Sequence, residues 1–474
     1  MRRTKIVCTL GPATERPEQI ETLLDAGMNV ARLNFSHGTH EWHADRIQTI
    51  RGLGKTRDQP IAILQDLAGP KIRIGEIPDG GVDLKEGELL LFTLRPTDLL
   101  AASGVREINL PVPALLAALV PGQQLVLGDG LVTLEVIEPR NGDWLCRVVD
   151  GGFLTSRKGV SGLGLSVSLP AVTERDLEDA RFGIEHGVDW IAVSFVRSAE
   201  DLRPVRELVQ SMGAATRLIA KIEKHEAVVD LAGIIAAADG VMVARGDLGL
   251  EIPLEEVPLV QKQIIRASNA AGLPVITATQ MLQSMLQNPY PTRAEVADIA
   301  NAIFDGTDAV MLSEETAVGR FAPQSVRLMA RIAERTEAGL DYTRIHQGKL
   351  EHRAASVAEA LAQGSLEIAE DLGARAILCS TTSGSTARLV SKNRPRAPII
   401  GATPIAETYR QLALSWGVVP VMVPATRDTD TRLADTVRVA CERQLVAKGD
   451  RVVIIAGLPV GEPGHTNMIK VEQM

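Results

Sequence analysis

Eight short apolar runs, recurring between helix-like stretches, constrain this chain more than any other feature. They are TKIVCTL (4–10), NVARLNF (29–35), IAILQD (61–66), WIAVSF (190–195), RLIAKIE (217–223), GVMVARGD (240–247), PVITAT (274–279) and DAVML (308–312). Most are apolar on both faces, as strands of a covered parallel sheet must be. Between them lie segments of helical periodicity, among them 200–213, 253–272 and 291–306, with glycine stop signals at Gly272 and Gly306. Eight β/α units around one core predict a (β/α)8 barrel.

The spacing breaks once. Residues 70–168 carry Gly/Pro turns and short alternating strands, such as 81–94 and 130–150, so an all-β insertion follows the third strand. A domain inserted at the catalytic end of a barrel is placed to act as a lid. After about Gly339 helix and strand alternate anew, with apolar runs at 374–381, 397–403, 418–424, 450–457 and 469–473, which reads as an open α/β domain. The expected division is a barrel from 1–69 plus 169–340, a lid from 70–168 and a C-terminal α/β domain from 341–474. At roughly 150 residues per domain, 474 residues agree with three units.

Composition removes several classes. The formal charge is −9 and aromatics are only 3%, so the basic face and stacking platforms of a nucleic-acid binder are missing. A core so poor in rings is expected to rest on Leu, Ile, Val and Ala. No apolar run reaches the roughly 18 residues of a membrane span. MRRTKIVCTLGPAT (1–14) has no apolar stretch of signal-peptide length. Cys8, Cys146, Cys379 and Cys441 are scattered without a CxxC pair, which reads as reduced thiols in a cytoplasmic protein. A metal in such a chain would sit on carboxylates.

Each predicted barrel strand stays apolar until its C-terminal end. There polar groups appear: Thr9; Arg32, Asn34, Ser36 and His37; Asp66; Ser194; Lys221 and Glu223; Arg245 and Asp247; Thr279 and Gln280; Ser313 and Glu314. Active sites of this fold sit at that mouth. Residues i and i+2 of a strand share a face. Arg32, Asn34 and Ser36 should therefore point together, as should Lys221 and Glu223, and Arg245 and Asp247 if the strand continues. Glu223 and Asp247 on neighbouring strands suit Mg²⁺ or Mn²⁺, completed by water and substrate. Taken alone, Lys221 and Glu223 read equally as an ordinary ion pair. With Arg32 and Arg73 beside the carboxylates, the ring makes an anion clamp of the kind phosphoryl transfer needs. Gly246 and Gly249 allow close backbone approach, and GPAT (11–14) offers N–H groups to an anion. Except for His37, the histidines lack ligand spacing and read as surface or satisfied groups. Met281 and Met285 read as core.

MNVARLNFSHG (28–38), GPKIR (69–73), SLPAVTERD (168–176), AKIE (220–223), MVARGDLG (242–249), ITATQML (276–282) and NPYPTRAEVADIANAIFDGTDAVMLSEETA (288–317) together closely resemble the pyruvate kinase family. The resemblance implies transfer of the phosphoryl group of phosphoenolpyruvate to ADP, giving pyruvate and ATP. It implies that Lys221 stabilises the transferring group and the developing enolate, and that Glu223 and Asp247 hold the divalent metal. Arg32 would hold the phosphate. Thr279 would contact the substrate carboxylate and orient the proton source through a water relay involving Ser313. Backbone groups of Ala244, Arg245, Gly246 and Asp247 would seat the carboxylate. Asn34, His37, Arg73 and Lys158 fall where the family binds nucleotide phosphates, with Lys158 arriving from the lid. The family is usually a homotetramer.

One departure concerns K⁺. Members that need it read Asp-Thr-Lys-Gly-Pro-Glu after the third strand; here the segment is Asp66-Leu67-Ala68-Gly69-Pro70-Lys71. The Thr that helps hold K⁺ has become Leu67 and the Glu has become Lys71, while Asn34, Ser36 and Asp66 survive. Lys71 can supply the positive charge in place, so no K⁺ requirement is expected; the plainer reading makes Lys71 a solvated charge at the lid hinge. In the C-terminal domain, Thr381, Thr382, Ser383, Gly384, Ser385 and Thr386 follow a strand and open a helix, an arrangement that cradles anions. In the family this loop binds the phosphate of a sugar-phosphate or nucleotide activator such as AMP. The usual Arg or Lys stands as Ser385 here, and a Ser/Thr-rich helix cap is the plainer reading. Lys392, Arg394 and 457–467 are candidates to complete the pocket. Two rivals stay open: another metal-dependent barrel enzyme acting on pyruvate enolate, such as an aldolase or lyase, and a non-catalytic metabolite sensor. The retained Lys221, Glu223, Asp247 and Thr279 weigh against the sensor, and Lys158 and Arg73 favour the kinase.

Overall fold

The computed structural model describes residues 1–96, 105–128, 130–162, 170–350, 354–426, 428–457 and 466–474, with backbone only for 347–350. The expected boundary at 168–169, residues 458–465 of the glycine-rich segment, His352 and His465 lie outside the described residues.

The eight apolar runs form strands β1 Lys5–Thr9, β2 Val30–Asn34, β3 Ala62–Asp66, β4 Trp190–Val193, β5 Arg217–Ile222, β6 Gly240–Ala244, β7 Val275–Ala278 and β8 Ala309–Leu312. They pair in parallel and close into a barrel, with Lys5 of β1 opposite Ala309 of β8. Alternate residues of each strand face inward. Val7, Val30, Leu64, Ala192, Ile219, Met242, Ile276, Ala278 and Met311 fill the interior, and the outward rows pack against the helices. The interior is not wholly aliphatic: Trp190, 1% exposed, fills its floor.

The insertion between β3 and β4 builds a six-stranded sheet and a two-stranded ribbon around its own core of Leu90, Phe92, Leu125, Leu134, Cys146 and Val148. One short helix, Pro113–Ala118, accompanies the strands. Beyond the barrel, strands Ala376–Ser380, Ile399–Thr403, Val418–Met422 and Arg451–Gly457 pair in parallel, and Thr466–Gln473 closes one edge antiparallel. Helices flank this sheet, as an open α/β layer requires.

The C-terminal domain completes the barrel. Its turn Leu412–Leu414 pushes Ala413 and Leu414 into the interior cluster from below. Around that plug runs a belt with a repeated design. The residue just before each even strand is Asn29, Asp189, Asp239 or Asp308. Its side chain accepts the backbone N–H of Ile6, Ile63, Leu218 or Val275 from the preceding odd strand, at 2.8–3.0 Å. Each is also bound by arginine. Arg2 meets Asn29, and Arg51 and Arg410 meet Asp189. Arg206 and Arg217 meet Asp239, and Arg394 meets Asp308. Arg410 and Arg394 belong to the C-terminal domain, so the belt is also its docking surface. Arg394 lies against the Trp416 ring at 4.8 Å as well.

Lys5, at the base of β1, is buried in this junction and donates from Nζ to the Val418 carbonyl at 2.7 Å. Burial pushes its ammonium down to about 7; Arg2 adds to the depression, and Glu337 and Asp308 oppose it. The unfolded chain keeps the proton up to the ordinary value of 10.5, whereas the folded chain releases it near 7. Between those limits the unfolded state binds more protons, so stability rises with pH, at up to about 1.4 kcal/mol per pH unit. Below about 7 both states are protonated and the burial penalty is at its largest. Thermal unfolding of the full chain from pH 6.5 to 10 should therefore show a midpoint that climbs more steeply than in Lys5→Met; parallel profiles would show that Lys5 stays charged.

Candidate active site

At the opposite end of the barrel the strands deliver charge. Asp66 ends β3, 1% exposed, and takes two cations: Arg32 Nε at 2.6 Å and Lys221 Nζ at 3.2 Å. Burial alone would raise this carboxyl, but Lys221 and Arg32 overcome it and hold Asp66 below its ordinary value. Lys221 Nζ also meets Glu223 Oε1 at 2.8 Å and donates to Ser194 Oγ at 2.7 Å, and Ser194 in turn donates to the Leu67 carbonyl. Desolvation disfavours the Lys221 charge, yet Asp66 and Glu223 outweigh it and raise the ammonium above its ordinary value. Arg32 Nη1 donates to Thr9 Oγ1 at 2.9 Å. Glu223 receives the Phe195 N–H at 2.8 Å, and burial raises its carboxyl against the pull of Lys221, with Asp247 pushing the same way.

Strand geometry carries Lys221 and Glu223 to one face, as expected. It does not carry Arg245 and Asp247. β6 stops at Ala244 and Arg245–Leu248 forms one helical turn. The Arg245 guanidinium turns to Asp298 at 2.6 Å, to Gln261, and to the carbonyls of Ala278 and Thr279. Only its backbone remains with the Ala244–Asp247 segment. Across from that turn, Thr279 and Gln280 hold φ of 72° and 55°. A β-branched residue in the left-handed region is strained, and such strain gathers at functional sites. Here it sets the Thr279 hydroxyl to accept the Gly246 N–H at 2.8 Å while donating to the Ala278 carbonyl at 2.6 Å. Ser313 follows β8, its N–H on Glu315 Oε2 at 2.7 Å.

The lid leaves the barrel at Gly69. Its φ is +66°, and a Cβ there would fall 2.7 Å from the Phe195 ring and 2.9 Å from Ser194 Cβ, so glycine is required. Asp176 Oδ1 accepts the Gly69 N–H at 3.0 Å and pins the hinge. The cleft between lid and barrel is lined by Lys71, Gly159, Ser161, Phe195, Glu223 and Asp247. Leu67 is in the core beneath it, 2% exposed. Arg73 pairs in β fashion with Gly159 and bonds the Arg157 carbonyl at 2.9 Å, which sets it beside Lys158. Asn34 Oδ1 accepts the Ser36 N–H at 3.1 Å, and exposed His37 gives its carbonyl to His43. His43 itself is buried and stacked on Phe35 at 3.9 Å; its Nε2 meets the His37 carbonyl but its Nδ1 has no hydrogen-bond partner, so it is only half the satisfied histidine expected. Met281 and Met285 are core.

The second candidate site is a folded loop at a helix start. Gly384 adopts φ +80° and gives its N–H to Thr381 Oγ1 at 3.0 Å. The Thr382 carbonyl accepts the Thr408 hydroxyl, Ser383 Oγ meets Ser385 Oγ at 3.1 Å, and Thr386 meets Thr466 at 2.8 Å. Lys392 and Arg394 face elsewhere: Lys392 pairs with Glu359, and Arg394 belongs to the belt.

In the sequence Asp66 reads only as part of a cation site; its place as common counter-charge of Arg32 and Lys221 emerges from β2, β3 and β5 being brought together. Ser194 and the Phe195 N–H, which fix Lys221 and Glu223, were visible only as a polar strand end. Among the described residues no three His, Cys, Asp or Glu side chains group as metal ligands. The two-carboxylate donor set of Glu223 and Asp247, all oxygen and one member fully buried, nevertheless fits a small hard cation that keeps substrate and water as its other ligands.

Comparison with known proteins agrees with this geometry. Residues 1–326 match the family model "Pyruvate kinase, barrel domain" and residues 359–472 match "Pyruvate kinase, alpha/beta domain". A pyruvate kinase of Geobacillus stearothermophilus is 47% identical over 473 residues, spanning 99% of this chain and 80% of the relative. One from Staphylococcus aureus (strain USA300) is 45% identical over the same span. With a closed eight-stranded barrel, an inserted lid, a C-terminal α/β sheet and matches over nearly its whole length, the chain belongs to the pyruvate kinase family of phosphotransferases.

Proposed function

We propose that this chain transfers the phosphoryl group of phosphoenolpyruvate to ADP, giving ATP and pyruvate in glycolysis, with Lys221 at the centre of the reaction. The observation that carries this reading is the Lys221 ammonium, buried at the barrel mouth between Asp66 and Glu223. A charge fixed there needs no reorganisation when negative charge develops on the transferring group and the enolate. Arg32, oriented by Asp66 and Thr9, binds the substrate phosphate. The backbone of Ala244, Arg245, Gly246 and Asp247 and the Thr279 hydroxyl seat the carboxylate. The enolate carbon takes its proton through water oriented by Thr279 and Ser313, since a Thr hydroxyl is too weak an acid alone. Asn34, His37, Arg73 and Lys158 hold the nucleotide phosphates, and lid closure excludes water. Mg²⁺ or Mn²⁺, held by Glu223 and Asp247, supplies Lewis-acid stabilisation when bound.

Two finer readings concern ions and effectors. Lys71 lies at the cleft and the K⁺-holding Thr is replaced by Leu67, so turnover proceeds without K⁺, with Asn34, Ser36 and Asp66 as remnants of the K⁺ site. Thr381, Thr382, Ser383, Gly384, Ser385 and Thr386 bind the phosphate of a sugar phosphate or of AMP, which activates the enzyme. The assembly is a homotetramer in the cytoplasm. Exposed Leu254, Leu259, Tyr290 and Phe304 supply apolar surface for subunit contact, and among the described residues no helix is long and apolar enough to cross a membrane.

A coupled assay should detect ATP formation from phosphoenolpyruvate and ADP, and an aldolase or lyase would give none. In Lys221→Ala, kcat should fall by at least about 10²–10³-fold while divalent-metal binding stays largely intact; an active variant refutes the role given to Lys221. In tetramethylammonium buffer, added KCl should change turnover by less than about twofold; large stimulation would remove Lys71 as the substitute cation.

A further inference from the structure

The base of β5 touches the effector loop. Arg217, the first residue of that strand, donates from Nη2 to the Ser383 carbonyl at 2.9 Å and from Nε to Gln411 Oε1 at 2.8 Å. It also faces Asp239 at 3.5 Å. Arg388, from the helix that the loop opens, donates to the same Ser383 carbonyl at 3.2 Å. Burial pushes Arg388 down to about 9, and the neighbouring Arg217 adds to the depression. Two guanidiniums therefore converge on one carbonyl oxygen beneath the loop, with Asp239 as the carboxylate facing them. An anion held by this loop would act on the same peptide as these two cations.

The other end of β5 carries the chemistry. Arg217, Ile219, Lys221 and Glu223 alternate onto one face of the strand and its extension, and Ile219 is packed in the barrel interior. Lys221 lies four positions after Arg217, roughly 13 Å of extended chain. β5 is hydrogen-bonded on both sides, to β4 and β6, so it keeps its length between these two ends.

We propose that Arg217 is a positioning residue that relays the state of the 381–386 loop to Lys221 and Glu223 along the interior row of β5. The relay rests on the reading of that loop as an effector site, but its mechanical part does not need a ligand to be tested. When the Ser383 peptide moves, Arg217 moves with it, and the strand carries the displacement to the mouth. Phosphoenolpyruvate binding, which depends on where Lys221 and Glu223 sit, responds; the maximal rate changes little.

The test is a double-mutant cycle on the full chain, read as phosphoenolpyruvate half-saturation and kcat. Gly384→Ala perturbs the loop because Gly384 holds φ +80°, which strains a residue with a Cβ, and that Cβ would crowd Arg388 Nη1 at 2.8 Å and Leu412 at 3.2 Å. Thr408→Val, which loses the bond to the Thr382 carbonyl, is the milder alternative if that variant folds poorly. In the parent each should raise half-saturation, by about fivefold for Gly384→Ala, with kcat within about twofold. In Arg217→Met the same changes should shift half-saturation by less than about twofold, and Arg217→Lys should restore part of the response. Equal shifts in both backgrounds, or none in the parent, overturn the relay. A second arm adds AMP and, separately, glucose 6-phosphate, with binding followed by calorimetry. A probe that binds parent and Arg217→Met alike but shifts half-saturation only in the parent supports the relay; one that shifts both equally overturns it. If neither probe binds, the effector reading fails while the mutant cycle still decides the role of Arg217.

Discussion

The parallel pairing of β1 with β8 is the contact on which the rest depends. It joins Lys5 to Ala309 across most of the barrel's sequence, and it removes both free edges of the sheet. Once closed, the barrel has no freedom of register, because a one-residue slip would turn every inward side chain outward. Each strand then presents one interior row with two ends. The upper ends gather Arg32, Asp66, Lys221 and Glu223 within hydrogen-bond reach; the lower ends gather Lys5, Arg217 and the Asx residues that hold the C-terminal domain.

Electrostatics explains why so acidic a chain can handle anionic substrates. The net charge of −9 is spread over the surface, whereas the mouth sets Arg32 and Lys221 around buried Asp66. Without Asp66 two cations would face each other in a desolvated pocket; with it, the Lys221 charge is favoured and both side chains are fixed in direction. Positive potential is thus local and preorganised.

Much of this was legible in the sequence, because the barrel follows from the period of the apolar runs and the site from the polar residue that ends each run. Lys221 and Glu223 obey strand alternation and land together. Arg245 does not, since the chain turns into a helix directly after Ala244, and the residue types there give no sign of it. Thr279 could be placed at the mouth, but its left-handed backbone could not, for nothing in the residue type favours that conformation. The floor was missed although it too is written in the chain. Gly27-Met28-Asn29, Gly187-Val188-Asp189, Ala237-Ala238-Asp239 and Gly306-Thr307-Asp308 recur before the even strands, and three of the four begin with a glycine of positive φ that ends a helical turn. The belt was hidden because its arginine partners are scattered from Arg2 to Arg410 and share no local pattern.

The plug formed by Ala413 and Leu414 bears on how the molecule is made. A barrel whose floor includes residues encoded about 100 positions after its last strand cannot finish packing while that segment is still inside the ribosome. Until then Trp190 and its neighbours at the base of β4 lack their final covering. The α/β sheet keeps its own cores, yet the turn Leu412–Leu414 of the same domain belongs to the hydrophobic interior of the eight strands. A C-terminal domain exchanged from a relative would have to bring a turn that fits this particular floor.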